Sequence, residues 1–136
     1  MGFKQVGESK KRLYGPRCLL VCGYNADERE KVKQLLCEKT FNQIPVVFST
    51  ASDREVLVKT LVVRGHLSGA DQPCTLDRAI IMSGVTEQEL HYIMAEYKKT
   101  DLPRPLWATL TPTSENWTIE ALVAELASER RAMPHS

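Results

Sequence analysis

Four short apolar runs alternate with stretches whose apolar residues recur at helical spacing, which predicts a chain of alternating strands and helices. The first run, Cys18-Leu-Leu-Val-Cys22, has no polar alternation and suits a strand buried on both faces. After Gly23 and Tyr24, Asn25 stands three residues before Glu28, the spacing at which a cap and the third helical residue satisfy each other's free N–H groups. A helix should start there and run to about residue 38, with Val32, Leu35 and Leu36 facing inward. A second strand is expected over 44–48, with Pro45 near its first residue. Ser52 and Glu55 then repeat the capping spacing, predicting a helix that buries Val56, Leu57 and Leu61.

Residues 64–77 break the periodicity with two glycines and a proline, as a surface connection does. A third strand over 79–82 follows, then Ser83, Gly84, Val85 and a cap at Thr86 with Glu89 three residues on. Val85 and Leu90 have the spacing of a hydrophobic staple, and Leu90, Ile93, Met94 and Tyr97 form one helical stripe. Pro103 and Pro105 impose extended geometry before a fourth strand over 106–110. The last helix is capped by Thr118, stapled by Trp117 and Leu122, and buries Ile119, Leu122, Val123 and Leu126.

With Cys18 laid over Ala79, CLLVCGYNADE overlays AIIMSGVTEQE in role: strand, glycine, cap, then Glu at the third helical position. Beyond the second strands the overlay calls for a shift, of one residue by core positions or about five by cap positions. The expected fold is α/β: two βαβα half-repeats, 17–63 and 78–128, joined by 64–77 into one domain with a four-stranded, mostly parallel sheet flanked by helices. Residues 1–16 and 129–136 are expected to be flexible tails. Joining the halves through their first strands gives the order 2-1-3-4 and sets the turns at Gly23 and Gly84 side by side at the carboxyl edge, where open α/β sheets bind ligands.

From Arg78 onward, the string IIMSG, the segment LPRPLWATLTPTSENWTIEALVAEL and a closing RRAM resemble the mainly bacterial family catalogued as domain of unknown function 3783. The specific part is Leu110-Thr-Pro-Thr113 followed by Asn116-Trp-Thr118, with Gly84 matching the family's glycine after the strand. The resemblance supports the boundaries of the second half and brings no reaction with it.

Composition narrows the classes. Eighteen basic and seventeen acidic residues leave a net charge of +1, so no overall field draws the chain to nucleic acid or anionic lipid. No apolar run is long enough to span a bilayer and no secretory leader is visible, which implies a cytoplasmic protein, or an organellar one had a targeting peptide been removed. The four cysteines lack CxxC spacing, and reduced thiols are expected. Cys18 and Cys22 would share a strand face about 13 Å apart, too far for a disulfide.

The densest chemistry is Thr111-Pro-Thr-Ser-Glu-Asn-Trp117. Its hydroxyls and the helix starts near it nominate Gly23, Asn25, Gly84, Thr86, Thr111, Thr113, Ser114 and Asn116 as ligand-binding residues. The plain alternative, which outweighs it, is that Thr and Ser only cap a helix while Trp117 staples it. Neither GxGxxG nor GxxxxGK[ST] occurs, and no metal spacing or catalytic triad is visible, so no catalytic residue, metal or cofactor is expected. The expected function is a non-catalytic binding or regulatory module for a small anionic ligand or a protein partner at the carboxyl edge. One competitor is a small enzyme or thiol-dependent factor, which requires Cys74 or His66 beside 111–116. Another is weak RNA binding or assembly through the basic arm of Lys4, Lys10, Lys11, Arg12 and Arg17. Glu129-Arg-Arg131 is expected to be a solvated helix end.

Overall fold

The computed structural model describes residues 11–38 and 44–132. Four strands, β1 (Cys18–Cys22), β2 (Val46–Phe48), β3 (Ala79–Ser83) and β4 (Leu106–Thr109), form one sheet in the order β2-β1-β3-β4. Four helices accompany them: α1 (Ala26–Lys33), α2 (Val58–Leu61), α3 (Glu87–Lys98) and α4 (Ile119–Ala132). Every residue of β1, β2 and β3 is buried, which explains why these strands read as unbroken apolar runs. Alternate strand residues feed two cores. Cys18, Leu20, Cys22, Val47 and Ile81 pack with α2 and α4, whereas Leu19, Val21, Phe48, Ile80 and Met82 pack with α1 and α3.

The sheet is mostly parallel with one antiparallel pair. β1 pairs parallel with β2 and β3 with β4, but β1 and β3 run antiparallel, with Cys18 opposite Ser83 and Cys22 opposite Ala79. The order is the one that a join through the first strands gives, but the neighbourhood of the two glycine turns that such a join implied is not found. Gly23 lies against the start of β3, its missing Cβ facing Leu76 O and Asp77, while Gly84 lies at the opposite end against Gly15 and Pro16. Helical crossovers dictate direction only between the strands they join, so they oriented β2 to β1 and β4 to β3 but not one half to the other.

The shift expected beyond the second strands is also absent. Leu19 pairs with Val46 and Val21 with Phe48; under the displacement that carries Cys18 onto Ala79 these become Ile80 with Trp107 and Met82 with Thr109, which are the observed pairs. The same displacement carries Leu57 onto Thr118, and these two residues pair with each other, Val58 N–H donating to Trp117 O and Ile119 N–H to Val56 O.

Three of the four expected caps form, the third by donation from Ala121 N–H to Thr118 Oγ1. Asn25 accepts from Glu28 N–H and Thr86 from Glu89 N–H, and each Glu carboxylate accepts in return from its cap's N–H. Thr86→Ala should therefore cost about 1 kcal/mol in a denaturant titration; an unchanged midpoint would contradict the cap. The helix expected from Ser52 is instead a single 3₁₀ turn over Ala51–Asp53 and the one-turn α2. There Thr50 N–H donates to Asp53, and the residues before α2 are drawn into pairing with Trp117 and Thr118. After α1 the chain continues as a π-turn over Gln34–Glu38.

Residues 11–16, expected within a tail, are docked: Leu13 N–H donates to Val85 O, and Gly84 N–H to Tyr14 O. α4 likewise continues to Ala132, past the expected end. The remainder of both expected tails, 1–10 and 133–136, lies outside the described residues. No helix among the described residues is long and apolar enough to cross a membrane.

Candidate functional site

The antiparallel join divides the nominated residues between the two ends of the sheet. Gly84, Thr86 and the 111–116 segment follow β3 and β4 at one end; Gly23 and Asn25 follow β1 at the other. At the first end the Thr111, Ser114 and Thr86 hydroxyls are used internally, while Thr113 makes no side-chain cap bond. Thr111 N–H and Oγ1 both donate to Ser114 Oγ, Ser114 N–H donates to Thr111 Oγ1, and Asn116 Nδ2 donates to Pro112 O. Thr86 is consumed by its cap. These bonds form a local turn that leads into α4, the plainer reading of this segment.

The other end opens into a cleft of about 420 Å³. Gly23 and Asn25 form one side, Leu76, Asp77 and Arg78 come from the approach to β3, Arg104 and Leu106 from the approach to β4, and Arg130 and Arg131 from the last turn of α4. Four guanidinium groups thus face one carboxylate, a concentration of charge that the whole-chain value of +1 conceals. Two of the four are engaged. Arg78 grips Glu28 with Nε to Oε1 at 3.0 Å and Nη2 to Oε2 at 2.8 Å, and Arg130 Nη2 donates to Pro105 O at 2.6 Å. The Arg78 guanidinium, reinforced by the Asn25 N–H, outweighs partial burial and holds the Glu28 carboxyl below its usual range. Arg104 and Arg131 are exposed and have no ion-pair or hydrogen-bond partner among the described residues.

Sequence reasoning missed these arginines, reading the closing pair as a solvated helix end. Arg78 and Arg104 precede β3 and β4, and α4 runs back antiparallel to β4, so the two strand starts and the helix end meet at one end of the sheet. The available signal was an arginine shortly before each second-half strand together with a pair one helix length after β4.

The thiol and imidazole required by an enzyme reading are placed elsewhere. Cys74 lines the arginine cleft with Sγ 3.5 Å from Ser49 Oγ. His66 Nδ1 accepts from Val46 N–H, which leaves Nε2 as the protonated nitrogen of the neutral ring, 4.0 Å from Cys37 Sγ. A ring so held has no free lone pair with which to take a proton from Cys37. No bond joins either residue to 111–116. Burial pushes Cys18 and Cys22 up to about 12, so both remain thiols. Within the basic arm, Arg12 Nε donates to Gly84 O and Arg17 pairs with Glu89, while Lys4 and Lys10 lie outside the described residues. Among the described residues no group of three or more His, Cys, Asp or Glu could hold a metal ion.

No curated protein and no solved structure matches the chain. Its second half does have a match: residues 78–133 fit the model of the family described as a domain of unknown function (DUF3783).

Proposed function

We propose that the protein is a non-catalytic binding module that takes a small polyanion in the arginine cleft. The observation that carries this reading is the pair of guanidinium groups without a partner among the described residues, Arg104 and Arg131, on a concave surface that also holds Arg78 and Arg130. Guanidinium forks match the oxygens of phosphate and carboxylate groups in pairs, and like charges held together without a counterion favour an anion that neutralises them. The volume is in the range of small-ligand sites. The lining contains no aromatic ring on which a base would stack, which favours a compact phosphorylated or polycarboxylate ligand over recognition of a nucleobase.

Two βαβα half-repeats that end differently account for the gathering of arginines at this end. The strand pairings of the two halves correspond under one constant displacement, which supports the repeat reading, as do the reciprocal ion pairs Arg17 with Glu89 and Arg78 with Glu28. Such exchange of partners is what a two-fold interface between equal units produces. In this reading the first half ends in the four-residue α2 and the second in the fourteen-residue α4, and only the longer helix brings a terminal arginine pair to a sheet end.

Calorimetric titration with inorganic pyrophosphate tests the proposal. Saturable binding is expected, weakened about tenfold by Arg131→Gln through loss of a charge-assisted contact. Thr113→Glu, at the far end of the sheet, should leave it unchanged. Equal affinity in wild type and Arg131→Gln, or loss of binding in Thr113→Glu alone, would overturn the assignment.

A further inference from the structure

The two outer strands of the sheet are finished differently. Along β2 the connection between the halves closes the edge: Leu67 N–H donates to Val46 O at 2.6 Å, Phe48 N–H donates to Ser68 O at 2.8 Å, and Leu67 packs onto the core on that face. On β4, Leu106 and Leu110 donate inward to Arg78 O and Met82 O. The two-residue period of a strand then turns the N–H and C=O of Trp107 and Thr109 outward. Nothing among the described residues bonds to those outward groups. Trp107 and Thr109 are the counterparts of Val46 and Phe48 in the overlay of the halves, the positions that Leu67 and Ser68 satisfy on β2.

A groove of about 470 Å³ runs beside this open edge. Met94, Tyr97, Leu102 and Trp107 give it an apolar floor on the face of the sheet that Leu67 also joins, and Trp107 is held edge-on to Tyr97 at 5.3 Å. Lys98 and Arg104 line it as well, both exposed, and no acid does.

We propose that β4 accepts an extended segment of a partner protein as a fifth strand, with an apolar side chain in the groove and an acidic residue against Lys98 and Arg104. Strand addition supplies the main-chain bonds that an open edge lacks, and side-chain pockets beside it set specificity. The charge of the groove selects the occupant. Residues 103–113 contain no Asp or Glu, so β4 of a second copy would bring no acid to Lys98 and Arg104, whereas an acidic segment would.

The test uses the full chain and the peptide acetyl-Asp-Thr-Val-Leu-Val-Thr-Asp-amide, followed by amide NMR. Titration should shift the Trp107 and Thr109 amides, and replacing both Asp of the peptide by Lys, or Lys98→Glu in the protein, should weaken binding about tenfold. Thr109→Pro removes only an outward N–H, a change edge strands tolerate, so it should melt near the wild-type temperature and lose the peptide. Should that variant fail to fold, Lys98→Glu on the exposed helix face carries the test alone. The proposal falls if the peptide leaves the β4 amides unmoved, if Lys98→Glu or a folded Thr109→Pro binds it as well as wild type, or if sedimentation shows the edge already occupied by a second copy.

Discussion

Gly84→Ala is expected to destabilise the protein by about 3 kcal/mol or more, a large effect for the addition of one methyl group. Gly84 has φ +68°, a left-handed conformation that costs an L-residue about 1–2 kcal/mol. The added Cβ would also lie 2.4 Å from Gly15 O, 2.7 Å from Pro16 C and 2.8 Å from Arg17 N. These are backbone atoms and cannot rotate away. Relief would require moving the 14–17 segment, which carries the Gly84 N–H bond to Tyr14 O and the Arg17 pair with Glu89. Gly65 is the control: its backbone is not left-handed and no atom lies within 4 Å of its missing Cβ, so Gly65→Ala should be neutral or stabilise by about 0.5 kcal/mol. Equal chemical-denaturation midpoints for the two variants would contradict the close approach at Gly84.

Arg17→Met should cost about 2 kcal/mol by the same measurement. The guanidinium holds Glu89 with two parallel bonds, Nη1 to Oε1 at 3.0 Å and Nη2 to Oε2 at 2.8 Å. The carboxylate side chain is only 11% exposed and the arginine 22%, so removal of the cation takes the strongest bonds from a charge with little access to water, although the Thr86 N–H still donates to it. The double variant Arg17→Met, Glu89→Gln should recover part of the loss, because Gln removes the half-neutralised buried charge and can still accept from the Thr86 N–H. Arg78→Met removes the counterpart pair with Glu28, but there the arginine is 38% exposed and the expected cost is about 1 kcal/mol. If the single and double Arg17 variants lose the same stability, the poorly hydrated Glu89 charge is not the source of the cost and the burial argument is wrong.

Local signals carried the elements, and long-range pairing carried what they could not. The caps at Asn25 and Thr86 were readable because each lies within three residues of its partner Glu. The strand order 2-1-3-4 followed from joining two similar halves through their first strands. The direction of that join was not readable: CLLVC and AIIMS are buried on both faces and contain no alternation that would distinguish a parallel from an antiparallel neighbour. The helix expected from Ser52 lost to a contact with the other half of the chain, the pairing of Leu57 with Thr118. The hydroxyls of 111–116 attracted attention as binding groups, yet a three-residue separation lets Thr111 and Ser114 satisfy each other, as Thr50 and Asp53 also do. Arg78, Arg104 and Arg131 belong to three separate elements, and only the reversal of α4 along β4 gathers them.

The two ends of the sheet make different predictions for a bound anion, and residue-resolved NMR during a titration with inorganic pyrophosphate separates them. The account predicts saturable shifts at Gly23, Asn25, Arg78 and Arg131, with Gly84, Thr86 and residues 111–116 unmoved. Shifts confined to Gly84, Thr86 and the 111–116 turn, or no saturable shift at either end, would contradict the arginine cleft as the binding site.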